Sequence, residues 1–115
     1  MPIVFVYGVP SNEEPRALKN LLGDIQETVA GVQELRLKKE DVIVFFPKDL
    51  VEEGLGEEII IFVKGLYEKP ERTDGVLKNL AKVLGKKVKE FHYPNSLVEV
   101  LVESMNPFRV WTSNT

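Results

Sequence analysis

The chain has 115 residues, of which 43% are hydrophobic and 29% charged, and its formal net charge at pH 7 is −3. This length suits a single domain, and the acidic balance argues against a nucleic-acid-binding protein, which normally shows a basic surplus. The absence of cysteine excludes disulfides, thiolate metal sites and cysteine nucleophiles. No apolar run is long enough to span a membrane and no signal-peptide pattern begins the chain, so we expect a cytoplasmic protein without membrane partners.

The first half of the chain predicts a strand, a helix and a second strand. Residues 3–9 form an apolar, β-branched run that ends near glycine, as strands often do. A helix follows, with Ser11 or Asn12 as its N-cap and Pro15 near its start. A second strand is predicted over 41–46. The apolar side chains of the helix recur at helical spacing on one face, at Leu18, Leu21, Leu22, Ile25 and Val29.

The second half predicts the same three elements again. A strand is predicted over 58–66, a helix over about 71–87 with Gly85 near its end, and a closing strand over 97–103. The tail over 105–115 is a candidate for one more short strand.

The two halves are related by an internal repeat. Three segments match in the same order and at nearly constant offset: 5–9 with 62–66, 17–22 with 76–81, and 42–46 with 98–102. Duplication explains three ordered matches better than chance. The sequence therefore predicts one domain over 1–115, built from repeat halves over about 2–50 and 58–108 and joined by a link that includes 53–56.

Two βαβ units predict an α+β fold (an α/β two-layer arrangement) with a four-stranded mixed sheet and two helices on one face. A sheet covered on one face only should alternate apolar and polar residues. These strands are instead apolar in succession, at 3–6, 42–46 and 59–63. We therefore expect both faces to be dry and the uncovered face to pack against further copies of the chain.

Several short motifs extend this pattern. Met1-Pro2 leads into a strand, Val9-Pro10 precedes the first helix, Phe46-Pro47 closes the second strand, and Met105-Asn106 and Val110-Trp111 lie in the tail. With these motifs the chain resembles the tautomerase superfamily, closest in layout to the branch of macrophage migration inhibitory factor and dopachrome tautomerase. The resemblance implies a homotrimer around a central barrel, active sites at subunit boundaries, no cofactor, and an N-terminal proline that moves protons in keto–enol tautomerisation.

The chain departs from the family's pattern at several places. Asn12 and Ile43 stand about where small tautomerases carry arginines for dicarboxylates, and Glu99 and Leu101 stand where the nearer branch has a tyrosine and an asparagine. Dicarboxylates and dopachrome-like or phenylpyruvate-like substrates are therefore not supported. The family also carries a lysine after the first helix, and the residues here that could replace it are Arg36, Lys38 and Lys39.

Pro2 is the candidate catalytic residue. Removal of Met1 before a small residue would leave a secondary amine at Pro2. An α-amino group has a pKa of ~8, which suits a general base. The end of the third strand is expected beside the start of the first, which brings Lys64 near Pro2. A cation there would lower the pKa of the amine and could stabilise an enolate oxygen. The alternative is a lysine that extends into solvent.

The other candidate residues of the substrate site are Glu99, Tyr67 and Arg109. Glu99 in an apolar strand is expected either to have a raised pKa in a dry pocket or to form a salt bridge with Lys64 or a neighbouring subunit. Tyr67 and Tyr7 are candidates for the walls of the pocket, and the alternative is that these rings only pack. Arg109 is a candidate anion contact from an adjacent subunit. His92 is the only histidine, and without cysteine or a second histidine we expect no metal site there.

The sequence thus predicts a tautomerase or isomerase that moves a proton alpha to a carbonyl in a small keto or enol acid. Decarboxylation and hydration are neighbouring possibilities. Two alternatives stay open: a non-catalytic trimeric relative, and a ferredoxin-like domain that binds a small ligand. The sequence does not distinguish which of Arg36, Lys38, Lys39 and Lys64 binds an anion, and fold alone does not determine chemistry.

Overall fold

The computed structural model describes residues 1–51 and 58–113, so the predicted link over 53–56 lies outside the described part. The elements follow the predicted order. They are β1 (Ile3–Tyr7), α1 (Pro15–Ala30), β2 (Ile43–Phe45), β3 (Ile59–Tyr67), α2 (Asp74–Phe91) and β4 (Val98–Met105), with 3-10 turns at Gln33–Leu35, Lys39–Asp41 and Pro107–Arg109. No helix in these two ranges is long and apolar enough to cross a membrane.

The strands form one mixed sheet in the order β2-β1-β3-β4. β1 and β2 are parallel, β3 and β4 are parallel, and the central pair β1 and β3 is antiparallel. The predicted four-stranded mixed sheet is confirmed. The two strands of each βαβ unit are direct neighbours, whereas a ferredoxin-like sheet is built from split βαβ units. The topology therefore disfavours the ferredoxin-like alternative.

Strand pairing and helix packing are symmetric between the two halves. Phe5 of β1 pairs with Phe62 of β3 at the centre of the sheet. Ile3 pairs with Ile43, and the equivalent residues Ile60 and Glu99 also pair. Both helices bury the same three positions counted from their first residue: Leu21, Ile25 and Val29 in α1, and Leu80, Leu84 and Val88 in α2.

The core lies between the helices and one face of the sheet. Val4, Val6, Ile61 and Val63 are fully buried there against the helices. The opposite face, which we call the open face, carries aromatic rings at its centre. The Phe5 and Phe45 rings lie 5.7 Å apart and the Tyr7 and Phe62 rings 5.8 Å apart. Within one chain only the helix side is covered, and Phe45 is 51% exposed.

Both helices begin later than the sequence analysis predicts. The residue before α1 is Glu14, not Ser11 or Asn12, and its side chain makes no cap hydrogen bond. Pro15 explains this start, because its fixed φ suits the first helical position and it has no N–H to satisfy. α2 begins after Thr73, whose hydroxyl accepts a hydrogen bond from the Val76 N–H.

Helix α2 also continues past its predicted end. Gly85 lies inside the helix, where an added Cβ would come 3.3 Å from the Val100 side chain on β4. The glycine therefore permits close packing of α2 on the sheet and does not end the helix.

The tail differs from its prediction as well. Residues Pro107–Arg109 form a 3-10 turn, in which the Asn106 side chain accepts a hydrogen bond from the Phe108 N–H at 3.0 Å. Pro107 cannot donate to a strand ladder, which explains the turn. The predicted strand is thus wrong at this turn, and residues 114–115 lie outside the described ranges.

Candidate functional site

Pro2 lies immediately before β1, between the neighbouring strands β2 and β3. Its side chain is buried, and its carbonyl accepts a hydrogen bond from the Ile43 N–H at 3.1 Å. On the other side it faces Gly65 of β3. The first residues of the chain are therefore built into the middle of the sheet and do not extend from its edge.

Gly65 makes this close approach possible. Its φ is +79°, and an added Cβ would lie 2.9 Å from the Met1 carbonyl oxygen and 3.7 Å from the Pro2 Cα. Gly8 is its counterpart in the first half, with φ +92° and the Glu58 carbonyl in contact with the position of a Cβ. Each half thus uses a glycine with positive φ to admit the start of the other half's first strand.

Lys64 lies at the same end of the sheet as Pro2, because it pairs with Ile3. Its side chain is exposed on the open face, with the ammonium nitrogen 5.3 Å from the centroid of the Phe62 ring. Side chains alternate along a strand, so the ring of Pro2 is on the covered side with Val4. Register therefore brings the two backbones together, while the two side chains leave the sheet on opposite faces.

The structure does not bring Glu99 to Lys64 within one chain. Glu99 pairs with Ile60, which also pairs with Tyr7 at the far end of β1. Ile60 and Lys64 are four residues apart on β3, which corresponds to roughly 13 Å along a strand. An ion pair between Glu99 and Lys64 of the same chain is therefore not formed.

The two candidate tyrosines lie at opposite ends of the sheet. Tyr67 pairs with Met105 beyond Gly65, on the Pro2 side, whereas Tyr7 is at the other end. They do not line one pocket within a chain. Arg109 is exposed in the 3-10 turn that follows β4.

Arg72 is a residue at this end that the sequence analysis missed. Its guanidinium donates to the Tyr67 carbonyl at 2.9 Å and to the Leu35 carbonyl at 3.1 Å. It thereby connects the end of β3 to the segment after α1, in which Arg36 adopts a left-handed conformation with φ 53°. An arginine just before the N-cap of a helix is the one local signal that could have identified it.

The basic residues of that segment are exposed, and two of them are engaged in local contacts. The Lys39 ammonium lies 3.4 Å from a carboxylate oxygen of Glu27, and the Lys38 backbone N–H donates to Asp41 at 2.8 Å. Arg72 therefore holds a segment rich in cations at the Pro2 end of the fold.

His92 has a specific partner at the other end of the helices. Its Nε2 lies 2.7 Å from Asp24 Oδ2. Over residues 1–51 and 58–113 no group of three or more histidine and acidic side chains is arranged to hold a metal ion.

Pro2 does not line any of three surface cavities formed by the described residues. One of about 350 Å³ is apolar and is lined by Phe5, Phe45, Phe46 and Pro47. The other two, of about 390 and 280 Å³, lie between the helices and the segments that follow them. Within one chain Pro2 is thus buried outside these cavities.

Comparison with known proteins identifies the fold. No family model and no curated protein sequence matches the chain. A fused 4-OT asymmetric trimer is 14% identical, with 98% of this chain and 94% of that chain covered and a TM-score of 0.73. Macrophage migration inhibitory factor from Toxoplasma gondii is also 14% identical, with 98% and 97% covered and a TM-score of 0.64.

A third solved structure, a domain of unknown function from Sebaldella termitidis, is 11% identical, with 100% of this chain and 98% of that chain covered and a TM-score of 0.69. These similarities extend over nearly the whole chain. At sequence identities of 11% and 14% they establish the fold alone. The resemblance stated from the sequence is confirmed at that level: the chain has the tautomerase-like fold.

Proposed function

We propose that this protein is a cofactor-free tautomerase or isomerase acting on a small keto or enol acid, with the secondary amine of Pro2 as its general base after Met1 is removed. The amine nitrogen takes a proton from the carbon alpha to a carbonyl. The electron pair of that C–H bond forms the enolate, and the protonated amine then returns the proton to another atom of the substrate. The fold shared with 4-OT and macrophage migration inhibitory factor supports this assignment.

The observation that carries the proposal is the buried position of Pro2. The Pro2 carbonyl accepts a hydrogen bond from the Ile43 N–H on one side, and the Pro2 backbone lies against Gly65 on the other. Burial in general disfavours the charged form of an amine and lowers its pKa from the ordinary value of about 8. The proposal therefore expects the Pro2 amine, once Met1 is removed, to be unprotonated near neutral pH.

The proposed anion contact is Lys64, at the end of β3 that lies beside Pro2. Its exposed ammonium group is free to meet a substrate carboxylate or the developing enolate oxygen at this end of the sheet. Within one chain, Glu99 lies at the end of the sheet opposite Pro2, and Arg109 lies in the 3-10 turn after β4. In this proposal Glu99 and Arg109 of one subunit contribute to the site around Pro2 of a neighbouring subunit. Tyr67 contributes to the site around Pro2 of its own subunit.

We further propose that the chain is a homotrimer. Two of the similar structures are fused 4-OT trimers, one of them symmetric and the other asymmetric. The open face of this chain carries stacked aromatic rings at its centre, and contact with other copies would remove these rings from water. A subunit boundary would also supply the cavity that Pro2 does not have among the three described in one chain.

A non-catalytic relative with the same fold is the second candidate. It is supported by the same position of Pro2 outside the three cavities and by the exposure of Glu99, where the family's pocket has an uncharged side chain. In that case Pro2 is only the start of a strand.

The experiment has two steps. Intact mass of the purified protein shows whether Met1 is absent, and a retained Met1 would also reject the proposal. The enol–keto conversion of several small keto acids, with a phenylpyruvate-type probe among them, is then compared in the wild type, in Pro2→Ala, and in Pro10→Ala as the matched control at an exposed proline. We expect Pro2→Ala to lose roughly 10²–10⁴-fold in rate, with Pro10→Ala unchanged. Equal rates in all three proteins would reject the catalytic proposal.

A further inference from the structure

The symmetric fold contains two equivalent grooves between the helices. Asn20 and Asn79 occupy the same position in α1 and α2, and each lines a cavity closed by the segment that follows the other helix. We call these the Asn20 groove, lined also by residues 91–93, and the Asn79 groove, lined also by residues 31–34. The backbone elements around the two grooves are equivalent. Differences between the side chains that line them therefore indicate which ligand each groove could bind.

The Asn20 groove has aromatic side chains and an imidazole that its counterpart lacks. It is lined by the carboxylate of Glu13, the imidazole of His92 and the phenol of Tyr93. His92 is bonded to Asp24 of α1, and the position equivalent to Asp24 in α2 is Val83. The carboxylate–imidazole pair is therefore a feature of one groove and is not imposed by the fold.

These groups are held in place before any ligand arrives. The side chains of His92 and Asp24 are 13% and 30% exposed, and their 2.7 Å contact joins the end of α2 to α1. The Lys89 ammonium donates to the carbonyls of Pro94 and Ser96 at 3.1 and 2.7 Å, which holds the segment that carries Tyr93. A site built in this way loses little freedom on binding.

The acid–base state of the groove favours a cationic ligand. The Tyr93 hydroxyl donates to Glu13 at 3.5 Å. Burial, with the Glu13 charge as the second cause, raises the pKa of Tyr93 to about 12, as expected of a partly buried hydroxyl beside a carboxylate. Glu13 is an anion beside the neutral ring of Tyr93, and a carboxylate next to an aromatic ring is a general recognition pattern for ammonium groups.

A contact between an ammonium group and an aromatic ring is present at the rim of the groove. The Lys87 ammonium lies 4.0 Å from the centroid of the Phe91 ring, which is one wall of the same cavity. Within the described ranges the acidic and histidine side chains form no metal-ion cluster, so an organic cation suits the groove better than a metal. The cavity volume of about 280 Å³ suits a small molecule.

We propose that the Asn20 groove is a binding site for a small organic ammonium ion, with the Glu13 carboxylate as its counter-charge and the Tyr93 and Phe91 rings as its walls. The Asn20 side-chain amide supplies an additional oxygen acceptor. The groove lies near the Tyr7 end of β1, whereas Pro2 is at the other end. The site is therefore separate from the proposed base and does not depend on the proposed enzyme activity.

The test is a titration of the ¹⁵N-labelled full-length chain with tetramethylammonium chloride, followed by amide shifts. Sodium chloride at equal ionic strength and tert-butanol, a neutral compound of similar shape, are the reference titrants. We expect saturable shifts around Asn20, His92 and Tyr93 with the ammonium salt alone. Shifts that are equal with either reference titrant, absent, or centred on Asn79 would overturn the proposal.

Matched variants identify the counter-charge. Glu13→Gln should weaken tetramethylammonium binding at least about tenfold, which corresponds to ~1.4 kcal/mol. Glu34→Gln removes a carboxylate from the Asn79 groove and should leave the affinity unchanged. Tyr93→Phe keeps the ring and should retain binding. Equal affinity in Glu13→Gln and the wild type would contradict the assignment even if binding itself is seen.

Discussion

Glu13 and Arg72 occupy equivalent positions, each two residues before a helix begins, and they carry opposite charges. Each contacts the segment that follows the other helix: Arg72 donates to the Leu35 carbonyl, and Glu13 accepts from the Tyr93 hydroxyl. The same framework therefore holds one segment with a cation and the other with an anion. This difference in charge distinguishes the two ends of an otherwise symmetric fold.

Gly65→Ala should destabilise the protein by about 1–3 kcal/mol, because an alanine at positive φ is strained and its Cβ would meet the start of the chain. Gly23→Ala is the control, since nothing lies within 4 Å of a Cβ there and the position is helical. It should stabilise by roughly 0.5–1 kcal/mol. Urea unfolding of both variants measures the difference, and an unchanged midpoint in Gly65→Ala would show that the close approach to Pro2 is absent.

Arg72→Gln should cost about 2 kcal/mol or more, because two backbone carbonyls lose a charged donor. Hydrogen exchange should also accelerate at the amides of Leu35 and Arg36, which belong to the segment that Arg72 holds. Arg16→Gln, at an exposed position in the first turn of α1, is the control. If both variants exchange at the same rate as the wild type, the two carbonyl contacts do not hold this segment.

Lys64→Gln tests the proposed anion contact. Loss of the cation should raise KM for an anionic keto acid roughly tenfold, about 1.4 kcal/mol. It should also move the acid limb of the kcat/KM profile to higher pH, because a nearby cation favours the unprotonated amine. Lys82→Gln, at an exposed position on α2, is the matched control. A KM and pH profile identical to those of the control would remove Lys64 from the site.

Phe62→Glu should disrupt the proposed trimer, because it places a charge among the rings of the open face. Sedimentation at several concentrations should show a shift towards monomers, while Lys82→Glu on the exposed side of α2 should sediment as the wild type does. A trimer that persists in Phe62→Glu would show that the open face is not the contact surface.

Alkaline pH should destabilise the protein through Tyr93. Its pKa is raised to about 12 in the folded chain, chiefly by burial, from the ordinary value of 10.0. The unfolded chain releases this proton first, so stability is fully present below about pH 10 and is lost as the pH rises towards 12. Tyr93→Phe should show a flatter dependence over this interval in urea unfolding. Parallel curves for the two proteins would contradict the shift.

The order of elements was readable from the sequence because its causes are local. Helical spacing of apolar side chains, β-branched runs and a repeated Gly8 and Gly65 are all visible within short segments, and duplication makes each half a check on the other. The boundaries were less accurate, since Pro15 and Thr73 determine the helix starts through cap geometry. Resemblance at the level of motifs was sufficient to predict the fold.

The contacts between distant residues were decided only in three dimensions. Strand register places Glu99 and Lys64 at different ends of the sheet, which their residue types and strand assignments alone do not reveal. The Asp24–His92 pair joins residues from opposite halves of the chain, and no local pattern marks them as partners. The spacing of apolar residues in the sequence determined the helices, the strands and the faces that they bury. Which charges meet depends on register and helix packing, because these bring together residues that no short stretch of sequence connects.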